Sequence, residues 1–272
     1  MLVIFLLGRQ ALPRGWRAEV ANDKKSSEGD VCVVTGGGGG LGVAVCRALA
    51  QAGTRVVAVD IGEFAAKAAK LLKAEGLITN PATCNVADSV AVNSLRDDLL
   101  KTFGRIDALF NLAGVVRNDK LVDVVDADFD LTIASHAKGT LNMMRAFAPS
   151  MKERKYGRIV NTSSVAALGS IGGTSYSAAK GAIEGMTRTA AVELARYGIT
   201  VNCIAPGVIN SGMFQQQPER AREHMLERTP MRRGAEPSEL AACYRFLGSK
   251  EASYVTGQTL FVCGGASIGA FN

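Results

Sequence analysis

The sequence predicts an α/β fold: a Rossmann-type, doubly wound, seven-stranded parallel sheet with helices on both faces, forming a single three-layer α/β/α domain. Three observations predict it. Short β-branched runs alternate with longer segments of helical periodicity from residue 31 onward. The first run leads directly into a turn made almost entirely of glycine. A chain of 272 residues suits one large α/β domain.

The strands and helices follow from this alternation. Seven short apolar runs predict strands at residues 31–35, 55–60, 81–85, 106–111, 157–163, 199–205 and 258–262. Six segments with apolar residues at helical spacing predict helices at residues 41–52, 65–75, 90–103, 129–153, 175–197 and 238–247. The rhythm breaks at residues 210–234, a polar stretch after the sixth strand. We expect this stretch to be a lid-like insertion in a catalytic domain that covers residues 30–272.

Residues 1–29 precede the first strand and differ from the rest. Residues 2–7 are apolar, and three arginines follow before the first acidic residue, Glu19. Six apolar residues cannot span a bilayer. We expect either a disordered extension or a targeting segment, and an acid-poor start that contains arginine is compatible with a mitochondrial presequence. We therefore expect a cytoplasmic protein, with the mitochondrial matrix as the alternative.

Composition and charge exclude several classes of function. The formal charge is only +6 and the basic residues are interspersed with acidic ones, which disfavours a nucleic-acid partner. The six cysteines are far apart, without a C-x-x-C pair or clustered histidines, so we predict no metal site and no disulfide framework. We expect a soluble protein in a reducing compartment. Its expected partner is a small molecule, and we expect no binding to a membrane.

The glycine turn at residues 35–42 points to a bound dinucleotide. Glycines let a backbone approach a pyrophosphate, and the following helix offers free N–H groups and the positive end of its dipole. A flexible loop is the alternative for a glycine turn alone. Here Asp60 stands 18 residues beyond Gly42, at the end of the second strand, where it can bind ribose hydroxyls and repel a 2′-phosphate. Unless Asp60 is only a solvated loop acid, the cofactor is NAD.

Tyr176 and Lys180 lie four residues apart and thus on one face of a helix. A phenol has an ordinary pKa of about 10, and a neighbouring ammonium lowers it. Tyr176 can then give a proton to a carbonyl oxygen or take one from an alcohol near neutral pH. The spacing alone is common in helices, so it gains weight only in combination with the dinucleotide motif.

Together these motifs resemble the short-chain dehydrogenase/reductase family, over residues 30–266, and most closely its 3-oxoacyl-(acyl-carrier-protein) reductase-like members. The segments that carry the resemblance occur in the family's order: residues 35–42, 111–114, 163–164, 176–180, 206–211 and 256–258. The family implies a dinucleotide site lined by Gly36, Gly40, Leu41, Gly42, Asp60, Asn85, Val86, Asn111, Ala113, Gly114, Tyr176, Lys180, Pro206, Gly207, Ile209 and Ser211.

The resemblance also implies four catalytic residues: a serine that polarises the substrate oxygen, Tyr176 as the acid and base, Lys180, and a fourth residue on the long preceding helix. Two serines compete for the first role. Ser163 has the usual distance from Tyr176, but Ser164 has the matching flanking residues, and we favour Ser164. His136 stands where the family usually has asparagine. It can hold a proton relay, or it can be an interior histidine that takes no part.

The activity implied is an NAD-dependent oxidoreductase that interconverts a secondary alcohol and a ketone. A 3-hydroxyacyl thioester or another apolar hydroxy compound is the expected substrate, since the insertion carries apolar residues: Met213, Phe214, Met225, Leu226 and Met231. The alternative is a catalytically impaired NAD-binding regulator or scaffold on the same fold. Relatives commonly form tetramers through their two long helices, so a homotetramer or homodimer is expected.

Overall fold

Seven parallel strands form one sheet in a computed structural model that describes residues 29–117 and 119–268. They are β1 (Val31–Thr35), β2 (Arg55–Asp60), β3 (Thr79–Thr83), β4 (Ala108–Asn111), β5 (Gly157–Thr162), β6 (Ile199–Pro206) and β7 (Thr259–Val262), in the spatial order β3-β2-β1-β4-β5-β6-β7. The predicted seven-stranded doubly wound sheet is confirmed. The extension predicted over residues 1–29 lies outside the described residues except for Gly29.

Helices cover both faces of the sheet. They are α1 (Gly40–Gln51), α2 (Phe64–Ala74), α3 (Ser89–Phe103), α4 (Asp126–Ile133), α5 (Gly139–Arg154), α6 (Thr174–Leu194), α7 (Gly212–Gln215), α8 (Glu219–Glu227) and α9 (Pro237–Leu247). One apolar core packs α1, α2 and α9 against the sheet, and the other packs α3, α5 and α6 against the opposite face. Within the described ranges, no helix is both long and apolar enough to cross a membrane.

Two predicted elements differ from the structure, a strand in its boundaries and a helix in its continuity, and both differences have physical causes. The third strand begins and ends two residues early, at Thr79 and Thr83, and it tolerates Pro81 because it pairs only with β2 at the sheet edge. The helix predicted at residues 129–153 is interrupted by a π-helical segment, Ala134–Lys138. Thr132 and Ser135 each donate a side-chain hydrogen bond back to the preceding helical turn there, and such bonds bend helices.

The amino end of β4 is fixed by a buried carboxylate. Asp107 is 1% exposed and accepts hydrogen bonds from the backbone N–H of Val31 at 2.9 Å, from Arg105 Nη2 at 2.6 Å and from Arg154 Nη1 at 2.8 Å. These bonds join β1, the start of β4 and the end of α5. They hold the sheet together at the end opposite to the glycine turn.

The predicted insertion, residues 210–234, contains α7 and α8 and is closed at its base. Ile209 forms a parallel bridge with Ala235, and the side chain of Asn210 donates to Glu236 Oε1 at 2.7 Å. Glu236 also begins α9 with a capping box that it shares with Glu239. The two ends of the insertion therefore leave the sheet side by side.

Candidate active site

The predicted site residues gather at the carboxyl end of the sheet. The strand order reverses between β1 and β4, because β1 connects onward to β2 on one side while β4 lies on its other side. In open α/β sheets a ligand binds in the crevice beyond the carboxyl ends of the strands at such a switch point. The glycine turn, the segment after β4 and the segment after β5 all begin at this edge.

The glycine turn is shaped by close backbone approaches. Gly36 has φ +67°, and a Cβ there would lie 3.0 Å from Ala113 N. A Cβ on Gly42 would collide with the carbonyl oxygen of Gly36. Helix α1 begins after Gly39 without a side-chain cap, so the first N–H groups, including those of Gly40 and Leu41, have no helical acceptor. An uncapped helix start behind a close-packed glycine turn fits a pyrophosphate.

Asp60 closes the same turn from β2. Its Oδ2 accepts from the backbone N–H of Gly38 at 2.9 Å and its Oδ1 accepts from that of Ile61 at 2.8 Å. The side chain is only partly buried. The carboxylate is thus fixed beside the glycine turn.

The segment after β4 is held by a residue that sequence reasoning missed. The Thr35 hydroxyl accepts hydrogen bonds from Leu112 N at 3.1 Å and Ala113 N at 3.2 Å, so it fixes the backbone that approaches Gly36. Thr35 precedes the glycines directly, and that position was the available signal. Asn111 instead points into the core, where its amide donates to Asn161 Oδ1 at 2.8 Å.

The other predicted cofactor residues fall on two flanks of the crevice. On the β3 side, Asn85 is exposed and accepts from Ala87 N at 3.0 Å, while Val86 is buried against Gly139. On the β6 side, Pro206 ends the strand, and Gly207 packs so closely on Cys263 that a Cβ would clash. Ile209 and Ser211 follow at the base of the insertion, where Ser211 N donates to Ile209 O at 2.7 Å.

Tyr176 and Ser164 face each other closely enough for the Ser164 hydroxyl to influence the pKa of Tyr176. Tyr176 lies in the first turn of α6, and Ser164 lies just beyond β5, where its hydroxyl also accepts from Ala166 N at 3.1 Å. Burial raises the pKa of Tyr176, and the Ser164 hydroxyl acts in the opposite direction. Ser163 differs: it is 1% exposed, and its hydroxyl donates to Glu184 Oε1 at 2.8 Å. The serine that faces Tyr176 is therefore Ser164.

Lys180 lies one turn along α6 and is 3% exposed. Its ammonium donates to the carbonyl oxygen of Thr162 at 2.8 Å and lies 5.3 Å from the centroid of the Tyr176 ring. Burial lowers the pKa of Lys180 to about 8. The sequence predicted that Lys180 lowers the pKa of Tyr176, but this pKa is raised, with burial as the main cause. Thr162 is a second residue that the sequence analysis missed.

His136 completes the cluster from the π-helical segment. Its ring meets that of Tyr176 edge to face, with centroids 5.2 Å apart, and its Nε2 lies 2.6 Å from the carbonyl oxygen of Val115. Burial, and secondarily the charge of Lys180, lower the pKa of His136 to about 3. The structure thus brings Ser164, Tyr176, Lys180 and His136 together.

The apolar residues of the insertion are unequally exposed. Met225 and Met231 present 40% and 58% of their surface, while Phe214 and Leu226 are half-buried. The side chain of Met213 lies outside the described part of the structure. Met231 is tied back to the segment after β7 because its N–H donates to the carbonyl oxygen of Gly264 at 3.1 Å.

Comparison with known proteins places this arrangement in a family. A family profile described as Enoyl-(Acyl carrier protein) reductase matches residues 37–267. A 3-oxoacyl-(acyl-carrier-protein) reductase of Thermotoga maritima is 40% identical over 245 residues, 89% of this chain and 99% of the relative. A hydroxy(phenyl)methylsuccinyl-CoA dehydrogenase subunit of Thauera aromatica is 39% identical over 239 residues, 88% of this chain and 96% of that protein.

Solved structures agree with these relatives. Levodione reductase superposes with a TM-score of 0.82 at 33% identity, covering 88% of this chain and 97% of that one. NAD⁺-bound xylitol dehydrogenase superposes with a TM-score of 0.83 at 32% identity, covering 87% and 98%. The chain belongs to the short-chain dehydrogenase/reductase family, as its sequence motifs predicted, and it is an oxidoreductase.

Proposed function

We propose that the protein is an NAD-dependent dehydrogenase that interconverts a secondary alcohol and a ketone. The observation that carries the proposal is the cluster of Ser164, Tyr176 and Lys180 at the switch point of the sheet, beside the glycine turn. The Lys180 ammonium lies 5.3 Å from the centroid of the Tyr176 ring, Ser164 faces Tyr176, and all three lie at the edge where a dinucleotide fits.

The chain's own groups handle the proton at the substrate oxygen. The Tyr176 hydroxyl donates a proton to a carbonyl oxygen, or takes one from an alcohol, while Ser164 donates a hydrogen bond to the same oxygen. The Lys180 ammonium, held by the Thr162 carbonyl, places a positive charge beside the Tyr176 ring and favours the phenolate form. The nicotinamide, when bound, supplies the hydride chemistry.

Asp60 supports NAD as the cofactor. Its carboxylate is fixed by the N–H groups of Gly38 and Ile61. It is therefore held beside the place where we expect the ribose of a dinucleotide bound at the glycine turn. A 2′-phosphate would sit against this charge, and juxtaposing like charges costs several kcal/mol. We therefore expect a preference for NAD over NADP of about 100-fold in kcat/KM, since each 1.4 kcal/mol is a factor of ten.

For the substrate we propose an apolar hydroxy compound, with 3-hydroxyacyl thioesters first. Met225 and Met231 are exposed and give the insertion an apolar surface. Exposed apolar surface of this kind marks binding sites for apolar ligands. The names of the Thermotoga and Thauera relatives both describe thioester substrates. Levodione reductase and xylitol dehydrogenase have different substrates by name, so the fold alone does not choose among them.

The test is NADH formation, followed at 340 nm, with 3-hydroxyacyl-CoA, steroid and polyol substrates and with either NAD or NADP. We expect turnover of the apolar substrates, and we expect Tyr176→Phe to lower it by about 10³-fold, a typical loss for a general acid and base. Calorimetry should show that this variant still binds NAD, which separates lost chemistry from lost folding.

Three outcomes would count against the proposal. Turnover of polyols alone would reject the apolar substrate, and equal use of NADP would reject the role of Asp60. Asp60→Asn provides the matched control because the amide oxygen can still accept from Gly38 N without the negative charge. We expect this variant to narrow the preference for NAD. Full activity in Tyr176→Phe would reject the mechanism itself.

A further inference from the structure

His136 is held in a defined orientation by one short hydrogen bond. The side chain is 3% exposed, and its Nε2 lies 2.6 Å from the carbonyl oxygen of Val115. A carbonyl oxygen only accepts, so Nε2 carries the hydrogen and Nδ1 is an unprotonated acceptor. Among the residues that the structure describes, Nδ1 is buried and has no partner. The ring is therefore a donor toward the segment after β4.

The same ring fills the space between that segment and Tyr176. On one side its edge meets the Tyr176 ring at an interplanar angle of 80°. On the other side it occupies the place of a side chain on Gly114, because a Cβ there would collide with the ring atoms Cε1, Nδ1 and Nε2. Packing against His136, rather than contact with a cofactor, therefore explains why residue 114 is glycine.

The imidazole takes no proton while it fills this space. Burial lowers the pKa of His136 to about 3, and the charge of Lys180 acts in the same direction. The other ionisable groups around it are Tyr176 and Lys180 on α6, and Tyr176 in turn lies close enough to Tyr244 on α9 to raise the pKa of that residue. A ring with this pKa stays neutral near pH 7, where it donates to Val115 and holds its neighbours in place.

We infer that His136 is a positioning residue, which fixes the segment Gly114 to Val116 through Val115 and holds the Tyr176 ring in its catalytic orientation. The part that concerns Tyr176 rests on the proposed function. Thr35 holds the same segment from its other end, at Leu112 and Ala113, so the backbone that faces the glycine turn is clamped on both sides. The close fit of the ring to Gly114 makes these two positions interdependent.

This interdependence is measurable without any substrate. We expect Gly114→Ala to lower Tm by about 5 °C, because overpacking costs 1–3 kcal/mol, or roughly 2–4 °C per kcal/mol in a domain of this size. In a His136→Ala background the same change should lower Tm by less than about 1 °C, because the clashing ring is gone. Gly181→Ala is the matched control, since a Cβ at Gly181 meets nothing within 4 Å.

Two further variants separate the two contacts of the ring. His136→Gln keeps an N–H donor that reaches Val115 but removes the aromatic edge, whereas His136→Phe keeps the edge and removes the donor. We expect Phe to weaken NAD binding by about tenfold in calorimetry, the usual effect of one lost hydrogen bond, and Gln to leave it within about threefold. Turnover should fall about tenfold in Gln through misplacement of Tyr176.

Ionisation of Tyr176 gives a readout that a purely structural role would not move. We follow tyrosinate absorbance against pH as the difference between each protein and its Tyr176→Phe counterpart. Burial raises the pKa of Tyr176, so removing the ring in His136→Gln should let water in and move the titration to lower pH. In His136→Phe the titration should stay where it is in the wild type.

The outcomes decide the inference and the proposed function separately. An equal cost of Gly114→Ala in both backgrounds, or Gln and Phe variants that match each other in NAD binding and tyrosinate titration, would overturn the positioning role. If Gly114→Ala fails to fold and the double variant folds, the interdependence holds. If the wild type turns over no alcohol, the proposed function fails while Tm, calorimetry and titration still decide the role of His136.

Discussion

The two ends of β4 treat buried polar groups in opposite ways. At the amino end, Asp107 receives hydrogen bonds from one backbone N–H and two guanidinium groups. At the carboxyl end, Asn111 Oδ1 and His136 Nδ1 are buried without a hydrogen-bond partner among the described residues. The Lys180 ammonium is also buried, and it donates to the carbonyl oxygen of Thr162. The amino end pairs its buried carboxylate with two positive charges, whereas the carboxyl end leaves two buried polar atoms without a partner in the described structure.

The consequence appears in the two ionisable groups. Burial alone would raise the pKa of Asp107, but the hydrogen bonds from Arg105, Arg154 and Val31 outweigh it and the pKa is lowered. Burial lowers the pKa of Lys180 to about 8, with no comparable compensation. In the folded protein the charged form of Asp107 is therefore favoured and that of Lys180 is disfavoured. The amino end contributes stability and the carboxyl end costs it.

The largest expected effect comes from removing the buried carboxylate. Asp107→Asn should lower the free energy of unfolding in urea by about 3 kcal/mol, because it leaves two guanidinium groups beside an uncharged amide. In the wild type this contribution is present above the unfolded pKa of about 3.9 and is lost as pH falls through the lower folded pKa. The variant should lack this loss at acid pH.

Asp30→Asn is the matched control for that measurement. Asp30 lies 3.8 Å from the same Arg105, but both side chains are more than 40% exposed, and surface pairs of this kind contribute little. Comparable losses of unfolding free energy in the two variants would mean that the buried Asp107 contributes no more stability than an exposed ion pair. The contrast between the ends of β4 would then disappear.

The second prediction reverses the sign at the other end. Lys180→Met should abolish turnover but raise the free energy of unfolding at pH 7 by about 2 kcal/mol. Holding the pKa at about 8 rather than its usual 10.5 corresponds to about 3 kcal/mol, less about 1 kcal/mol for the unpaired Thr162 carbonyl. The cost of the lysine is fully present below pH 8 and disappears as pH rises toward about 10.4.

Urea unfolding of the wild type and Lys180→Met between pH 7 and pH 10 checks this sign. The gap between the two proteins should close as pH increases. The exposed Lys138, replaced in the same way, should show no gap at any pH. If Lys180→Met were less stable than the wild type, the contacts of the Lys180 ammonium would outweigh the cost of burying it.

The smallest effects separate two neighbouring serines. Ser163→Ala should cost about 1 kcal/mol of stability, since it breaks the bond to Glu184, and should leave kcat/KM within about threefold. Ser164→Ala should lower kcat/KM about 100-fold, as expected for a lost donor to the substrate oxygen. Unfolding curves and NADH formation measure both variants side by side, and an exchange of the two results would make Ser163 the catalytic serine.

Most of the fold was predictable because strand and helix periods differ and the glycine turn marks where they meet. The errors arose where tertiary contacts override local preference. The predicted third strand began at Pro81, whereas β3 has Pro81 at its centre, because an edge strand accepts a proline there. Nothing in the apolar spacing of residues 129–153 indicates a π-helical segment, because its side-chain bonds involve Thr132 and Ser135, which are polar residues outside the pattern.

The sequence predicted which residues the candidate site brings together, but it did not predict their contacts. Motif spacing identified Tyr176 and Lys180, but no spacing shows that Lys180 reaches the backbone of Thr162 or that His136 reaches that of Val115. Backbone acceptors carry no sequence signature, since every residue has a carbonyl. The choice between Ser163 and Ser164 likewise depends on which residue of α6 each serine meets: Ser163 donates to Glu184, and Ser164 faces Tyr176.

The paired base of the insertion has a consequence for how such a protein changes over time. Ile209 and Ala235 lie side by side, and Asn210 and Glu236 close the gap between them, so the 24 residues from 211 to 234 enter and leave at one point. Longer or shorter versions can be exchanged there with only a small entropic penalty for loop closure. In the proposed function the insertion contacts the substrate, so such exchanges alter which molecules are accepted while Ser164, Tyr176 and Lys180, which lie outside the insertion, stay unchanged.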